Sequence, residues 1–587
     1  MARPVPTQPW RLPESSPLDA DLAAEGARRG LTERTLRILA ARGHRTPLDL
    51  AAFNDPPATA LHDPWLLPDA ALVHARVARA VAAGERVLVF GDFDADGLTG
   101  CAIIVLALRA LGLDAEPHVP DRLAEGHGLS LAAVERARAE DRTLIFTVDT
   151  GTSSGEEIAA AAAAGIDVIV TDHHHVPEHL PPAVAVVNAH RPDSAYPDDR
   201  LAGTGVALKV AQLLLDDAAG GSLRALDLAD LAVIGTVADL APMVGENRAI
   251  ARLGLERLRR APRPGLVALL AAAGVTAERI DLESIGFALA PRLNAGGRMG
   301  DATTAVRLLL AATVAEAEPL AAELEVANRA RRELTAAVLA EAVAAADLEP
   351  DAPAIVVAGD WPVGIIGLVA GRLAEARTRP VVVFATGAEP WRGSARSPAG
   401  FDLAVAFEAC AFAFERHGGH PGAAGCTLPS DRFGAFRERF LALAADTSIG
   451  FTAPGLSLDL VVAGIDVDYR LHRDLQALEP TGAGNPRPLL GVSGLIVTRA
   501  RAASGGHAQI TLRRGREVLD AIAFGRPELA ALAAGETVDL VARLASRTFG
   551  GYETLQLEVL DAAPGGFLDD LARRLADAPL APSAATP

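Results

Sequence analysis

Between residues 86 and 187, five short runs of β-branched and apolar residues, "RVLVF", "AEPHV", "TLIFTV", "DVIVT" and "AVAVV", alternate with Ala/Leu-rich stretches such as "TGCAIIVLALRALG", "LAAVERARAE" and "GEEIAAAAAAG". Parallel strands cannot be joined by tight turns, and the crossover helices that join them cover the faces of the sheet. The alternation therefore predicts an α/β domain on a mostly parallel sheet. Ligands of such sheets bind beyond the carboxyl ends of the strands, where the strand order reverses.

Three of these strands end in residues that bind metals. "RVLVFGDFDADG" ends in Asp92, Asp94 and Asp96, "TLIFTVDTG" in Asp149, and "DVIVTDHHH" in Asp172, His173 and His174. A further acid, Asp239, closes the apolar helical stretch "LADLAVIGTVAD". Carboxylates gathered at one edge raise each other's pKa unless cations neutralise them, so the pattern implies bound metal and more than one ion. A calcium loop is the competing reading of "DxDxDG". It requires a glutamate at loop position 12, which falls on Ile103, and a helix in front, where this chain has a strand. Asp149 alone could be a helix cap and "DHHH" a surface cluster; their coincidence at equivalent strand ends favours a metal centre. Gly97 is expected to permit the tight turn into the helix that follows.

A chain of 587 residues is too long for a single core. The texture divides it into a helical lead-in (1–79), the acid-bearing α/β domain (80–250), a helical connector (251–350), a second α/β domain (351–450), a barrel-like region of short strands (455–563) and a tail (564–587). The stretch "PLAAELEVANRARRELTAAVLAEAVAAA" in the connector has helical spacing for long enough to be a rod between domains. Residues 1–16 and 564–587 are rich in Pro, Ala and Ser and are expected to fray. The barrel-like region, with one helix-like insertion, suggests an oligonucleotide-binding type of barrel. A net charge of −19 argues against non-specific coating of nucleic acid, so such a partner must lie on a local basic track. No apolar run reaches the roughly 18 residues that span a bilayer, and "MARPVPTQPWRLP" has no apolar signal core. Three unclustered cysteines, Cys101, Cys410 and Cys426, point to a reducing cytoplasm without disulfides.

The segments "GDFDADG", "TVDTG", "TDHHHVP" and "GTVADLAP" match, in order and spacing, the four motifs of the DHH phosphoesterase superfamily. "VPDRLAEGHGL", "GTGVALK", "GENRAIARLGL", "APRLNAGGRMGDA", "GSARSPAGFDL", "GGHPGAAG" and "LEPTGAGNPRPLL" narrow the resemblance to the RecJ family of single-stranded-DNA-specific exonucleases, over about residues 80–560. One motif departs: the family's Trp-His-x-Gly reads Trp361-Pro362-Val363-Gly364 here. "GTGVALK" lacks the third glycine and the Lys-Ser/Thr of phosphate-binding loops, and is read as a helix start packed near the active site.

The resemblance implies a DHH-type parallel-sheet domain, joined by a long helix to a smaller DHH-associated α/β domain and followed by an OB-fold barrel. It implies a two-metal exonuclease that degrades single-stranded DNA 5′→3′ to mononucleotides in recombination and repair. Asp94, Asp96, Asp149, His173 and Asp239 would be metal ligands, with Asp149 bridging and Asp92 either a ligand or an acid behind them. His174 would donate a hydrogen bond to the scissile phosphate. Two ions about 3.5–4 Å apart are expected; the mixed carboxylate–imidazole set favours Mn2+, with Mg2+ as a substitute. Arg122, Ser394 and Arg396 would hold a 5′-terminal phosphate, with Arg298, Gly418, Gly419 and His420 as further substrate contacts. Arg499, Arg501, Arg513, Arg514 and Arg516 would form the DNA track on the barrel. The implied partners are single-stranded DNA, a single-strand-binding protein and a helicase, with no membrane and a monomeric state. Two other readings stand beside this one: a phosphodiesterase of short oligonucleotides or cyclic dinucleotides, and a non-catalytic replication scaffold.

Overall fold

β1 (Arg86–Gly91), β2 (Asp114–His118), β3 (Leu144–Val148), β4 (Asp167–Thr171) and β5 (Ala185–Val187) form an all-parallel sheet in the order β2-β1-β3-β4-β5. The order reverses between β1 and β3, which opens a crevice at their carboxyl ends. Strand alternation sends Val87 and Val89 of β1 into one core and Leu88 and Phe90 into another, so both faces are covered. The computed structural model describes all residues except 1–3, 14–16, 56, 122–124, 127, 217–222, 261, 300–301, 447–454, 550–551 and 577–587.

Helix α1 (Ala95–Ala110) follows β1 and is apolar almost all round. Residues 95–105 are all buried, because α2 (Gly203–Leu215) and α3 (Ala229–Ala238) pack on the side of α1 turned from the sheet. Further along come α4 (Ala290–Met299), entered through a π-helical turn (Ile285–Leu289), and the 33-residue α5 (Val314–Ala346). At 1.5 Å per residue α5 is about 50 Å long. Its Ala317, Ala321 and Leu324 sit in the core of the first domain, and its Val338 and Ala342 in a core of the second. It is the expected rod.

The second domain has a five-stranded mixed sheet with α6 (Val363–Arg377) packed on it. Its strands are β6 (Ile355–Gly359), β7 (Val381–Ala385), β8 (Trp391–Arg396), β9 (Arg416–His420) and β10 (Ala423–Leu428), in the order β9-β10-β8-β7-β6. Only β6 and β7 are parallel. The Gly-rich segments "GSARS" and "GGHPGAAG" are mostly strand. Their backbone groups pair along the ladder, and glycine there leaves stretches of sheet without side chains.

A second compact unit contains the described residues among 1–55 and 453–587. β11 (Leu460–Ala463) lies parallel to β12 (Leu490–Ala503), which with β13 (His507–Arg514), β14 (Glu517–Ala523), β15 (Thr537–Phe549) and β16 (Tyr552–Pro564) closes a barrel in the order β12-β13-β14-β16-β15-β12. The N-terminal helices Ala20–Arg28, Glu33–Ala41 and Pro47–Asn54 place Leu22, Leu36, Ile38, Leu39, Leu50 and Phe53 in the same core as Val492, Leu512 and Leu540 of the barrel. The segment 1–79 is therefore not one lead-in. Residues up to 55 complete the barrel unit, whereas the helix Ala70–Ala83 belongs with the first sheet.

Where they are described, the ends also differ from the frayed tails expected; residues 1–3, 14–16 and 577–587 of those tails lie outside the described residues. Trp10 is buried, pairs with Leu456, and donates its Nε1–H to Asp561 Oδ2 at 2.9 Å. Asp539 Oδ2 accepts from Leu568 N at the start of the amphipathic helix Phe567–Ala576. Composition hid these anchors, because one Trp in a Pro-rich stretch outweighs its neighbours by buried area alone. No described helix is long and apolar enough to cross a membrane. Trp10→Ala should lower the free energy of opening of β16 by about 3–5 kcal/mol, read by native-state hydrogen exchange; unchanged protection would show that the N-terminal strand is dispensable.

Candidate metal centre

Asp94 is the N-cap of α1. Its Oδ1 accepts from Asp96 N at 3.0 Å and Gly97 N at 3.2 Å, so the bland role of helix cap and the role of ligand coincide in one residue. Gly97 lies in the first turn of α1 and, as expected, permits the tight passage from strand to helix. A Cβ there would come within 2.6 Å of the Asp92 backbone N and O, so glycine allows the acid loop to fold back against the helix. Asp96 points the other way, onto the start of α2. Its Oδ2 accepts from Gly203 N at 2.7 Å and its Oδ1 from Thr204 N at 2.8 Å. "GTGVALK" is thus a helix start at the active site, as read, and its free amides hold a carboxylate.

Asp149 leaves β3 in the left-handed region, with φ of 62°, a conformation that non-glycine residues adopt at a cost. Gly203 again makes room, since a Cβ there would lie 2.5 Å from Asp149 Oδ1. That oxygen is buried and accepts no hydrogen bond among the described residues. It stands 3.1 Å from His173 Nε2, which is 3.9 Å from Asp96 Oδ2, while His173 Nδ1 is 4.0 Å from Asp239 Oδ2. Three sets of potential ligand atoms lie within 4.8 Å of one another: Asp149, His173 and His174; Asp96, His173 and Asp239; Asp92, Asp94 and Asp149. Asp149 and His173 are each shared by two sets, and of the two only the Asp149 carboxylate has the adjacent second donor atom with which a residue could bridge a pair of ions.

Electrostatics point the same way. Burial, followed by the neighbouring carboxylates, pushes Asp96 and Asp149 well above the usual carboxylate range. Burial and Asp94 raise Asp239 to about 6. Burial brings His173 down to about 4, so its imidazole is neutral and a competent ligand at neutral pH. His174 behaves oppositely. Its Nδ1 is 2.8 Å from Asp172 Oδ1, and that hydrogen bond raises its pKa to about 9 despite partial burial. Burial alone would raise Asp172, but hydrogen bonds from His174 and Thr152 outweigh it and bring the pKa down to about 2.

Divalent ions fit this residue set. A buried carboxylate oxygen lacks a hydrogen-bond donor, glycine clears the space beside it, and carboxylates with an imidazole form a mixed O/N donor set suited to Mn2+. Asp92, Asp94, Asp96, Asp149, His173 and Asp239 would hold them. Two supporting residues were not singled out from the sequence. Asn294 of α4 accepts from Ala95 N at 2.6 Å, between Asp94 and Asp96; Asn188 Nδ2 donates to His174 O at 2.9 Å. Only Asn294 left a signal, inside "LNAGGRMG". Asp172, grouped from the sequence with the strand-end residues of metal-ligand type, instead hydrogen-bonds the His174 ring and orients it.

Of the substrate residues, Ser394 and Arg396 lie two apart on β8 beneath α6. A Cβ on Gly367 would be 3.1 Å from Ser394 Oγ and 3.4 Å from Arg396 Nη2. Arg298 at the end of α4 donates from Nη1 to Gly364 O at 3.2 Å, so the start of α6 gathers all three. Pro362 caps α6 without a side-chain hydrogen bond. Gly418, Gly419 and His420 lie on the edge strand β9, where Gly418 and His420 stand in rows with Ser394 and Arg396 across β10. Arg122 lies outside the described residues. On the barrel, Arg499, Arg501 and Arg513 share one exposed face of the β12–β13 hairpin, and Arg516 is exposed in the turn between β13 and β14. Arg514 differs: its side chain is largely buried, with Nη2 2.8 Å from Glu517 Oε2, so it is tied into the hairpin instead of lining a track.

The sequence matches the family descriptions "DHH family, N-terminal domain" over residues 86–236, "DHHA1 domain" over 351–446 and "RecJ OB domain" over 458–561. It is 34% identical over 541 residues to the single-stranded-DNA-specific exonuclease RecJ of Bacillus subtilis, covering 91% of this chain and 68% of that one. The chain belongs to the RecJ family. To RecJ of Thermus thermophilus it is 36% identical over 522 residues, covering 89% of this chain and 73% of the relative. The crystal structure of Thermus thermophilus RecJ in complex with Mn2+ matches at a TM-score of 0.81 and 32% identity, covering 96% of this chain and 83% of that one. A Mg2+ complex of the same RecJ matches at 0.76. The DHH, DHHA1 and OB architecture expected from the sequence therefore holds.

A carboxyl whose folded pKa exceeds its unfolded value adds stability below the unfolded pKa and loses it as pH rises through the folded one. For Asp239 without metal the window runs from about 4 to about 6. Metal binding must expel the protons that Asp96, Asp149 and Asp239 retain. Calorimetric Mn2+ titration at about pH 6, in two buffers of different ionisation enthalpy, should show net proton release and an affinity that falls with pH; binding without proton release would contradict the raised pKa values.

Proposed function

We propose that the chain is a divalent-metal-dependent exonuclease that removes 5′-mononucleotides from the 5′ end of single-stranded DNA. The observation that carries the reading is α4, which touches two sites at once. Its Asn294 holds the backbone of the acid loop, and its Arg298 reaches the start of α6, beside Ser394 and Arg396. A cationic pocket joined to the acid loop by one helix suits a terminal phosphate held a short step from the scissile bond. A strand with a 5′-terminal phosphate would occupy both, in keeping with 5′→3′ polarity.

Bound divalent ions supply Lewis acidity toward the phosphodiester and lower the pKa of the attacking water. The protein's own residues do the rest. His174, cationic near neutrality and with Nδ1 engaged by Asp172, presents its other N–H to a phosphate oxygen. Ser394, Arg396 and Arg298 orient the terminal nucleotide. The bare strip formed by Gly418 and Gly425 beside Ser394 leaves room for the strand along the sheet. On the barrel, the face bearing Arg499, Arg501 and Arg513 suits the phosphates of longer strands. The names of the RecJ relatives agree with this substrate. A strand-separating enzyme, such as a helicase in recombination or repair, must supply the unpaired end.

Digestion of a 5′-phosphorylated single strand, labelled at each end in separate experiments, tests the reading. With Mn2+ the 5′ label should appear first as a mononucleotide, and a long strand should be cleaved at least as well as a dinucleotide. Release from the 3′ end would overturn the polarity. Preference for dinucleotides would favour a short-oligonucleotide phosphodiesterase, and binding without any cleavage would favour a scaffold.

A further inference from the structure

Phe287 is the most exposed aromatic side chain among the described residues, at 83% of its full accessible surface. This is unusual in a chain whose residues are only 4% aromatic and whose other phenylalanines mostly fill cores. It sits in the π-helical turn Ile285–Leu289, where the neighbouring Ile285 and Leu289 are fully buried. Such turns insert a residue into a helix at a cost in hydrogen-bond geometry and recur at functional sites. The turn is anchored near the metal centre. A Cβ on Gly286 would lie 3.5 Å from Val237 in the last turn of α3, the helix that ends at Asp239.

The turn runs directly into α4, and positions 287, 291, 294 and 298 follow helical spacing. Leu289, Leu293, Ala295 and Gly296 are buried, whereas Phe287 is exposed and the half-buried Pro291, Asn294 and Arg298 continue its stripe along the helix. Asn294 on that stripe holds the acid loop, and Arg298 at its far end reaches toward Ser394 and Arg396 by way of α6. At 1.5 Å per residue, Phe287 lies about 10 Å from Asn294, on the side away from Arg298. A single strand with its 5′ phosphate near Arg298 and its first linkage at the acid loop would carry its next bases past Phe287. An exposed ring at that place matches the sequence-tolerant stacking by which proteins hold unpaired bases.

We propose that Phe287 is a stacking platform for a nucleobase on the 3′ side of the scissile linkage, so that it admits unpaired strands whose bases are free to splay. The assignment rests on the exonuclease reading. A paired base is already stacked in its duplex and cannot cover the ring, so the platform also contributes to discrimination against duplex ends.

The test uses 5′-phosphorylated oligothymidylates with phosphorothioate linkages to slow cleavage, intact or with one abasic site at each of the first six positions. Binding is followed by anisotropy with the full-length protein. The native protein should lose roughly tenfold in affinity when one position near the 5′ end is abasic. Phe287→Ala should lose a similar factor on the intact strand and nothing more when that same position is abasic. Phe287→Trp should bind like the native protein, with new tryptophan emission quenched by the intact strand and not by the strand abasic at that position. Losses that multiply at every position, or native-like binding by Phe287→Ala, overturn the assignment and leave the exonuclease reading standing. Failure of the native protein to bind the intact strand overturns both.

Discussion

Two backbone amides at the start of α2, those of Gly203 and Thr204, each donate to one oxygen of Asp96, and the rest of the centre is arranged around that buried carboxylate. Asp96 lies between α1, α2 and α3 with 1% exposure, so its charge cannot be relieved by water. Burial works against its ionisation and the amides of α2 work for it, and burial prevails without metal. Asp149 faces the same conflict with fewer partners. It is held in a left-handed backbone conformation with a buried oxygen that accepts no hydrogen bond among the described residues. A site built this way is unfavourable when empty and favourable around cations, which is how carboxylates are made to bind metal instead of merely solvating a turn.

The topology supplies the geometry. With the order β2-β1-β3-β4-β5, the reversal falls between β1 and β3, and Asp92 to Asp96 and Asp149 leave those two strands at their carboxyl ends. His173 follows β4, the next strand along. Asp172 is already spent on four hydrogen bonds, to the backbone of His173, His174 and Thr152 and to the ring of His174, so the middle of "TDHHHVP" divides its labour. One histidine is neutral and the next is cationic near neutrality. Burial sets the first state and the hydrogen bond to Asp172 the second.

The strands and their terminal acids were legible because strand ends in a parallel sheet converge by construction, so position along the chain predicts position in space. The long helix α5 was legible because helical spacing persists over its length. The supporting residues were not, since Asn188 and Asn294 act through single hydrogen bonds that no periodicity marks. The Gly-rich segments of the second domain were ambiguous for a definite reason: glycine can be chosen for bare sheet as well as for turns, and Gly425 and Gly418 serve the former. The first 55 residues misled because short helices look alike whichever core they cover. Their true partner, the barrel, is remote in sequence: Trp10 and Asp561, in contact, are 551 residues apart. Arg514 reads as one of a basic cluster, yet its pairing with Glu517 depends on the hairpin turn between them.

Burial and the neighbouring carboxylates hold Asp149 against its own ionisation, and divalent ions would relieve it. Thermal melts of the native protein and Asp149→Asn, each in EDTA and in saturating Mn2+ near pH 8, test this most directly. In EDTA the variant should melt no lower than the native protein, because it removes a buried charge that repels Asp92, Asp94 and Asp96. Mn2+ should raise the native melting temperature and leave the variant nearly unchanged. A variant that melts well below the native protein in EDTA, or gains as much from Mn2+, would contradict the account.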